Sequence, residues 1–226
     1  MPSHSIKPIG WVASPFSEKF GTPRQPGEAT SATGYVHLHP PYRTPEAFRE
    51  LESFSHLWLI FHFHQAKQHE WKPTVRPPRL GGNKRVGVFA SRSPFRPNSL
   101  GLSVVRLEKL IEHPEHGLSL AISGFDLIDQ TPLFDVKPYL PYADAIPDAA
   151  AGYSPPSLTP MQVEWTCDYA GNQRILIEEV LSLDPRPGYK TETDTPYGCT
   201  LGSENILWKV ENNRILVLSV TNMAEE

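Results

Sequence analysis

The chain has 226 residues, 39% of them hydrophobic and 20% charged, enough to bury a core as one domain or as one domain with a small appendage. A formal net charge of −4 excludes a uniformly basic nucleic-acid binder, and the two distant cysteines, Cys167 and Cys199, exclude a disulfide scaffold and a cysteine-based structural zinc site. No apolar run exceeds Leu57–Phe61 and the opening MPSHSIKPIGWV lacks a signal-peptide core, so a cytoplasmic protein with no membrane segment is expected.

In chain order, Ile6–Ala13 reads as a first strand, stopped by Ser14-Pro15. Residues 16–34 are polar and full of breakers, a loop long enough to suggest a functional role. A short strand at Tyr35–Leu38 precedes Thr44-Pro45-Glu46, where a hydroxyl cap, a proline at the first helical position and an early acid predict a helix over Pro45–Phe54. Leu57–His64 reads as a buried strand, residues 67–84 as a loop, and Val86–Ala90 as a strand running into a turn at Ser91–Asn98. Strands follow at Leu100–Ile111, Leu118–Gly124 and Leu133–Lys137. Short strands at close spacing with one helix predict a β-barrel or curled sheet over residues 1–145. Residues 146–160, rich in Ala, Pro and Ser, read as a linker. Residues 161–226 then form a small α+β unit, with a strand at Met161–Cys167, a helix at Asn172–Leu183 and a hairpin of Ile206–Val210 and Ile215–Val220 around Asn212-Asn213. The fold class is therefore mainly β.

Charge is unevenly spread. Residues 1–110 carry 15 Lys+Arg against 7 Asp+Glu, and residues 111–226 carry 6 against 18. Eight basic residues fall between 67 and 96 (Lys67, Lys72, Arg76, Arg79, Lys84, Arg85, Arg92, Arg96), with Trp71 and several prolines among them. Such a stretch suits phosphates or single-stranded RNA, and equally a solvated basic face. Neither a dinucleotide-binding glycine fingerprint nor a P-loop is present, and Gly81-Gly82 reads as a turn. His62 and His64 share a strand face near His56, but no third ligand has matching spacing, so no metal is expected. Asp126 and Asp129 are spaced for acid–base work, or Asp129 caps the turn at Thr131-Pro132. Nothing has the setting of a covalent nucleophile.

Six ordered blocks carry a resemblance: PFSEKFGTPRQPG (15–27), LESFSHLWLIFHFHQ (51–65), WKPTVRPPRLGG (71–82), GVFASRSPFRPNSLG (87–101), DLIDQTPLFDVKPYLPYAD (126–144) and DPRPGY (184–189). In these the chain resembles the TrmO, or TsaA-like, family of S-adenosylmethionine-dependent tRNA methyltransferases. Ser99 stands where the family usually has proline, a change expected to loosen the turn without removing the site.

The resemblance implies a TsaA-like β-barrel that binds S-adenosylmethionine and methylates the exocyclic amino group of threonylcarbamoyl-adenosine beside the anticodon of threonine tRNA. It implies a homodimer with the cofactor near the subunit interface. Carried over by residue, Pro23, Arg24, Gln25, His64, Gln65 and Arg92 line the cofactor pocket. Leu102 with Asp129, Gln130, Thr131 and Pro132 holds its nucleoside end. Asp126 or Asp129 is the candidate catalytic group, by accepting a hydrogen from the weakly basic adenine amine. Lys72, Arg76, Arg79, Lys84, Arg85, Arg96, Arg186 and Tyr189 are the candidate tRNA contacts, on the anticodon stem-loop. A non-catalytic RNA- or nucleotide-binding barrel is the alternative.

Overall fold

The computed structural model describes residues 4–66, 71–77, 80, 83–154, 159–186 and 195–223. Strands β1 (Gly10–Ala13), β2 (Thr33–Leu38), β3 (His56–His62), β6 (Leu100–His113), β7 (Gly117–Ser123) and β8 (Thr131–Pro138) close in the order β1-β2-β7-β6-β3-β8, all neighbours antiparallel. Between β3 and β6 lies a two-stranded ribbon of β4 (Thr74–Val75) and β5 (Val86–Gly87).

Strand alternation builds the core. Along β3 the sequence HLWLIFH sends Leu57, Leu59 and Phe61 inward, while His56, Trp58, Ile60 and His62 face out. Val12, Val36, Val105, Ile122 and Leu133 meet them from the other strands. Gly101 on β6 is required by this packing, because a Cβ there would lie 2.2 Å from the Phe61 ring.

A short helix α1 (Pro141–Asp144) ends this part. Beyond it, β9 (Gln162–Trp165), β10 (Tyr197–Leu201), β11 (Glu204–Glu211) and β12 (Arg214–Asn222) form a second sheet in the order β10-β11-β12-β9. Helix α2 (Arg174–Ser182) buries Leu176, Ile177, Val180 and Leu181. The β11–β12 turn uses Asn212 (φ 50°) and Asn213 (φ 59°), the left-handed pair that a two-residue hairpin demands.

The loop between β1 and β2 stitches the two sheets together. Phe16 bridges to Leu201, Gly202 N–H donates to the Pro15 carbonyl (2.7 Å), and Phe20 stacks on the fully buried Trp208 at 6.2 Å.

Three expectations change. The segment Pro45–Phe54 is two 3-10 turns, Pro45–Phe48 and Leu51–Ser53, not one helix. Arg49 is extended and Glu50 is left-handed (φ 65°), so the cap and proline start a turn that the next residues abandon. Pairing in Val86–Ala90 lasts only through Gly87, after which Val88–Ala90 is a 3-10 turn that buries Val88. Strand β10, carrying a glycine and no clear alternation in YGCTL, had no counterpart in the sequence reading.

Candidate active site

In an antiparallel barrel the end of one strand lies beside the start of the next. One rim is therefore made by the ends of β1, β3 and β7 and the starts of β2, β6 and β8. Most sequence-predicted site residues fall on this rim or on the loops leaving it.

Arg92, exposed in the turn after β5, is the hub. Its Nη1 donates to Gln25 Oε1 from the long first loop, and its Nη2 donates to the Leu102 carbonyl on β6 (3.4 Å). Gln25 is held in turn by Glu28, whose carboxylate accepts the backbone N–H groups of Arg24 and Gln25 (3.1 Å each). Behind this layer sits the part-buried Asp126, which accepts a hydrogen bond from the Ser103 hydroxyl at 2.5 Å. Burial pushes the Asp126 carboxyl above its usual range, and Glu28 adds to this. The Ser103 hydroxyl, a backbone amide and the positive charge of Arg92 oppose the rise. Arg92, Gln25, Leu102 and Asp126 thus come together in one cluster.

Asp129 plays a different part from Asp126. Its Oδ1 accepts the Ser14 N–H (2.9 Å), its own N–H donates to the Phe16 carbonyl (2.7 Å), and Ser14 Oγ donates to the Leu127 carbonyl (2.7 Å). These bonds clamp the end of β1 to the turn before β8. In the same turn Gln130 is left-handed (φ 59°) and its Nε2 donates to Asp129 Oδ2 (3.4 Å), while the Thr131 hydroxyl donates to the Ile128 carbonyl (2.6 Å). Pro132 pairs with Trp11 across the seam.

His64 and Gln65 follow β3. Burial and the neighbouring His62 lower the His64 imidazole, with Lys19 adding to this and Asp129 opposing it, so His64 lies within electrostatic reach of both. Lys19 Nζ donates to the Gln65 carbonyl (2.8 Å). Pro23 and Arg24 line a small concavity with Val180, Leu183 and Pro185. The Arg24 guanidinium points to the second sheet's side, donating to the carbonyls of Arg186 (2.9 Å) and Asp184 (3.4 Å).

The predicted tRNA contacts divide. Lys72, Arg76, Lys84 and Arg85 are exposed on and beside the β4–β5 ribbon, with Arg85 also reaching Thr74 Oγ1 (3.4 Å). Arg79 and Tyr189 lie outside the described residues. Arg96 is committed inward, donating to the carbonyls of Ser91 (2.7 Å) and Val88 (3.3 Å), and so braces the turn. Arg186 is turned inward, 9% exposed and forked onto Asp184 (2.7 and 2.9 Å).

Ser99 also reads differently in three dimensions. It is buried and left-handed (φ 49°), its N–H donates to the Arg96 carbonyl (3.2 Å), and its carbonyl accepts the Phe63 N–H (2.9 Å). Proline, fixed near −65° and lacking an N–H, cannot take this geometry. The turn is pinned between two neighbours, not loosened.

Sequence reasoning missed Glu28 and Ser103. Ser103 was findable, since it occupies an inward position of β6 between Gly101 and Val105 where alternation calls for an apolar side chain.

Comparison with known proteins decides the family. A family model described as the tRNA-methyltransferase O N-terminal domain matches residues 11–145, and one described as the TrmO C-terminal domain matches 158–223. The chain belongs to the tRNA-methyltransferase O family. It is 45% identical over 223 residues to the tRNA (adenine(37)-N6)-methyltransferase of Escherichia coli (strain K12), covering 93% of this chain and 94% of that protein. It is 45% identical over 218 residues to a Pseudomonas aeruginosa protein named "Putative S-adenosylmethionine-dependent methyltransferase RcsF", covering 91% and 92%. A crystal structure of TrmO from Pseudomonas aeruginosa superposes with a TM-score of 0.78 at 38% identity, over 98% of this chain and 100% of that one.

Proposed function

We propose that this chain transfers a methyl group from S-adenosylmethionine to the exocyclic amino nitrogen of the adenosine at position 37 of tRNA, with threonylcarbamoyl-adenosine in threonine tRNA as the preferred acceptor. The observation that carries the reading is the Arg92–Gln25–Leu102–Asp126 cluster in a chain matched along nearly its whole length by adenine-37 methyltransferases. The cluster suits the donor. A guanidinium grips a carboxylate with two parallel hydrogen bonds, and the two partners that hold Arg92, a side-chain amide and a carbonyl, are both neutral.

The donor supplies an activated methyl group, so the protein's share is orientation and proton handling. Pro23, Gln25, His64, Gln65 and Leu102 shape the pocket, and the clamped turn Asp129–Pro132 fixes its floor. Asp126 accepts a hydrogen of the adenine amine, which localises the nitrogen lone pair, and then holds the released proton. Its raised affinity for a proton favours that second step. Exposed Lys72, Arg76, Lys84 and Arg85 grip phosphates of the anticodon stem-loop. Phe89, Phe95, Leu100 and Leu102, all exposed beside Arg92, support a homodimer in which a second copy covers this rim. Residues 1–145 carry the chemistry, 146–160 connect, and 161–226 brace the first loop, in a protein that works in the cytoplasm.

The test is incubation with methyl-labelled S-adenosylmethionine and threonine tRNA, with and without the threonylcarbamoyl group. Label on adenosine 37 of the modified tRNA is expected. No label on either substrate would overturn the proposal, and equal label on both would overturn its acceptor preference.

A further inference from the structure

The rim opposite the candidate active site gathers three imidazoles. His37 lies near the end of β2, His113 ends β6, and His116 sits in the turn to β7. One ring nitrogen from each falls within 4.8 Å of the other two, and the ring centroids are 4.3 to 4.8 Å apart. We propose that His37, His113 and His116 form a binding site for a divalent transition-metal ion of the zinc class, which clips the β6–β7 turn to β2.

Register brings the three together. His37 pairs with Ser119 on β7, and His113 pairs with Gly117 across the tight turn that carries His116. Hydrogen bonds behind the ring already prepare His37. Ser119 Oγ gives its hydrogen to the Gly117 carbonyl (2.8 Å) and therefore accepts from His37 Nδ1 (2.9 Å). The proton is thereby fixed on Nδ1, and the lone pair of Nε2 is left for a metal, the arrangement that oriented metal histidines adopt. His113 needs an adjustment. Its Nδ1 accepts long bonds from the N–H groups of Glu115 and His116 (3.3 Å each); binding of the ion at Nε2 puts the proton on Nδ1, so these two bonds are given up and the turn carrying both donors rotates away.

The surroundings are mixed in charge and otherwise aromatic. Trp11 packs on His37 and His116, and Tyr35 on His37 and His113. Glu115, with Oε2 3.9 Å from His116 Nε2, is placed to supply a fourth ligand or a countercharge. Arg43 opposes a cation, but its guanidinium is turned to the His116 carbonyl. Tetrahedral coordination sets imidazole nitrogens about 3.3 Å apart, so the rings must close by roughly 1.5 Å. His116 sits in the turn and His113 at the strand end that enters it, where that movement is cheapest. Imidazole-only donors suit zinc, cobalt, nickel or copper and disfavour magnesium or calcium.

Chelator-stripped full-length protein carrying Cys167→Ser, which removes the partly exposed thiol as a competitor, should be titrated with Zn2+ by calorimetry and with Co2+ by visible absorption. One ion per chain and a tetrahedral Co2+ spectrum are expected, with Zn2+ raising the Tm. His113→Gln at the end of β6 and His116→Gln in the turn, both outside the candidate active site, should keep the circular dichroism of the parent. Each should weaken binding by about tenfold or more. Absence of saturable binding, or binding that neither substitution changes, would overturn the proposal. Loss of methyl transfer has no bearing on it, because these variants leave the donor and tRNA sites intact.

Discussion

At the scale of single residues, Arg92 and Asp126 make opposite demands on their surroundings. Arg92 is exposed and held by neutral partners, so its removal should cost binding but little stability. Arg92→Ala is expected to weaken S-adenosylmethionine binding by about 10- to 100-fold in calorimetry, the worth of a charge-assisted pair. Arg92→Lys should recover only part of this, since an ammonium cannot fork onto a carboxylate. Asp126 is the converse case. Its proton affinity is higher in the folded than in the unfolded chain, so ionising it costs stability as pH rises through and above the ordinary aspartate range. Asp126→Asn keeps an oxygen for the Ser103 hydroxyl and should leave the Tm at neutral pH unchanged or slightly raised, while kcat falls by about 100-fold. In the parent protein, kcat should decline on acidification at a higher pH than an unshifted aspartate would give. The same sensitivity to surroundings separates the cysteines. Burial pushes the Cys199 thiol up to about 12. A thiol reagent at pH 8 should therefore modify Cys167 in the native protein and Cys199 only after denaturation.

At the scale of elements, the turn from Ser91 to Ser99 stands or falls on one backbone angle. Ser99→Pro forces a left-handed residue to a φ it cannot hold and removes the N–H bonded to Arg96, so a loss of about 3 kcal/mol or more is expected in denaturant unfolding. That requirement could not be read from RPNS, because serine is compatible with many conformations and the angle is imposed by β3 and β6 on either side. Strands whose side chains alternate, such as HLWLIFH, were legible because burial repeats every second residue. The Pro45–Phe54 segment misled, since capping signals report how a helix begins and not whether it continues past Glu50. For the candidate site the same division holds. Arg92 and Gln25 stood out in recognisable blocks, whereas Glu28 acts on the backbone of its own loop and leaves no mark in composition. The histidine trio joins His37 to two histidines 76 and 79 residues further along the chain, and only strand register could bring them to it.

At the scale of the whole molecule, the asymmetric charge becomes spatially meaningful. The exposed cations Lys72, Arg76, Lys84 and Arg85 cluster at one ribbon, so a protein that is acidic overall still offers phosphate a local landing place. Replacing Arg76, Lys84 and Arg85 by Gln should weaken tRNA binding and lower the slope of affinity against salt concentration by about 2 to 3, with donor binding preserved.

The loop between β1 and β2 has a wider consequence. Along 14–32 it holds Gln25 against Arg92, while Thr30 and Ser31 grip the Glu179 carboxylate on α2 (2.6 to 2.9 Å). A shift of α2 is therefore passed through Thr30 and Ser31 to the loop that carries Gln25, the partner of Arg92. Glu179 thus fastens the helix of the second sheet to the loop that holds Arg92, and Glu179→Gln should slacken that fastening while both sheets stay folded.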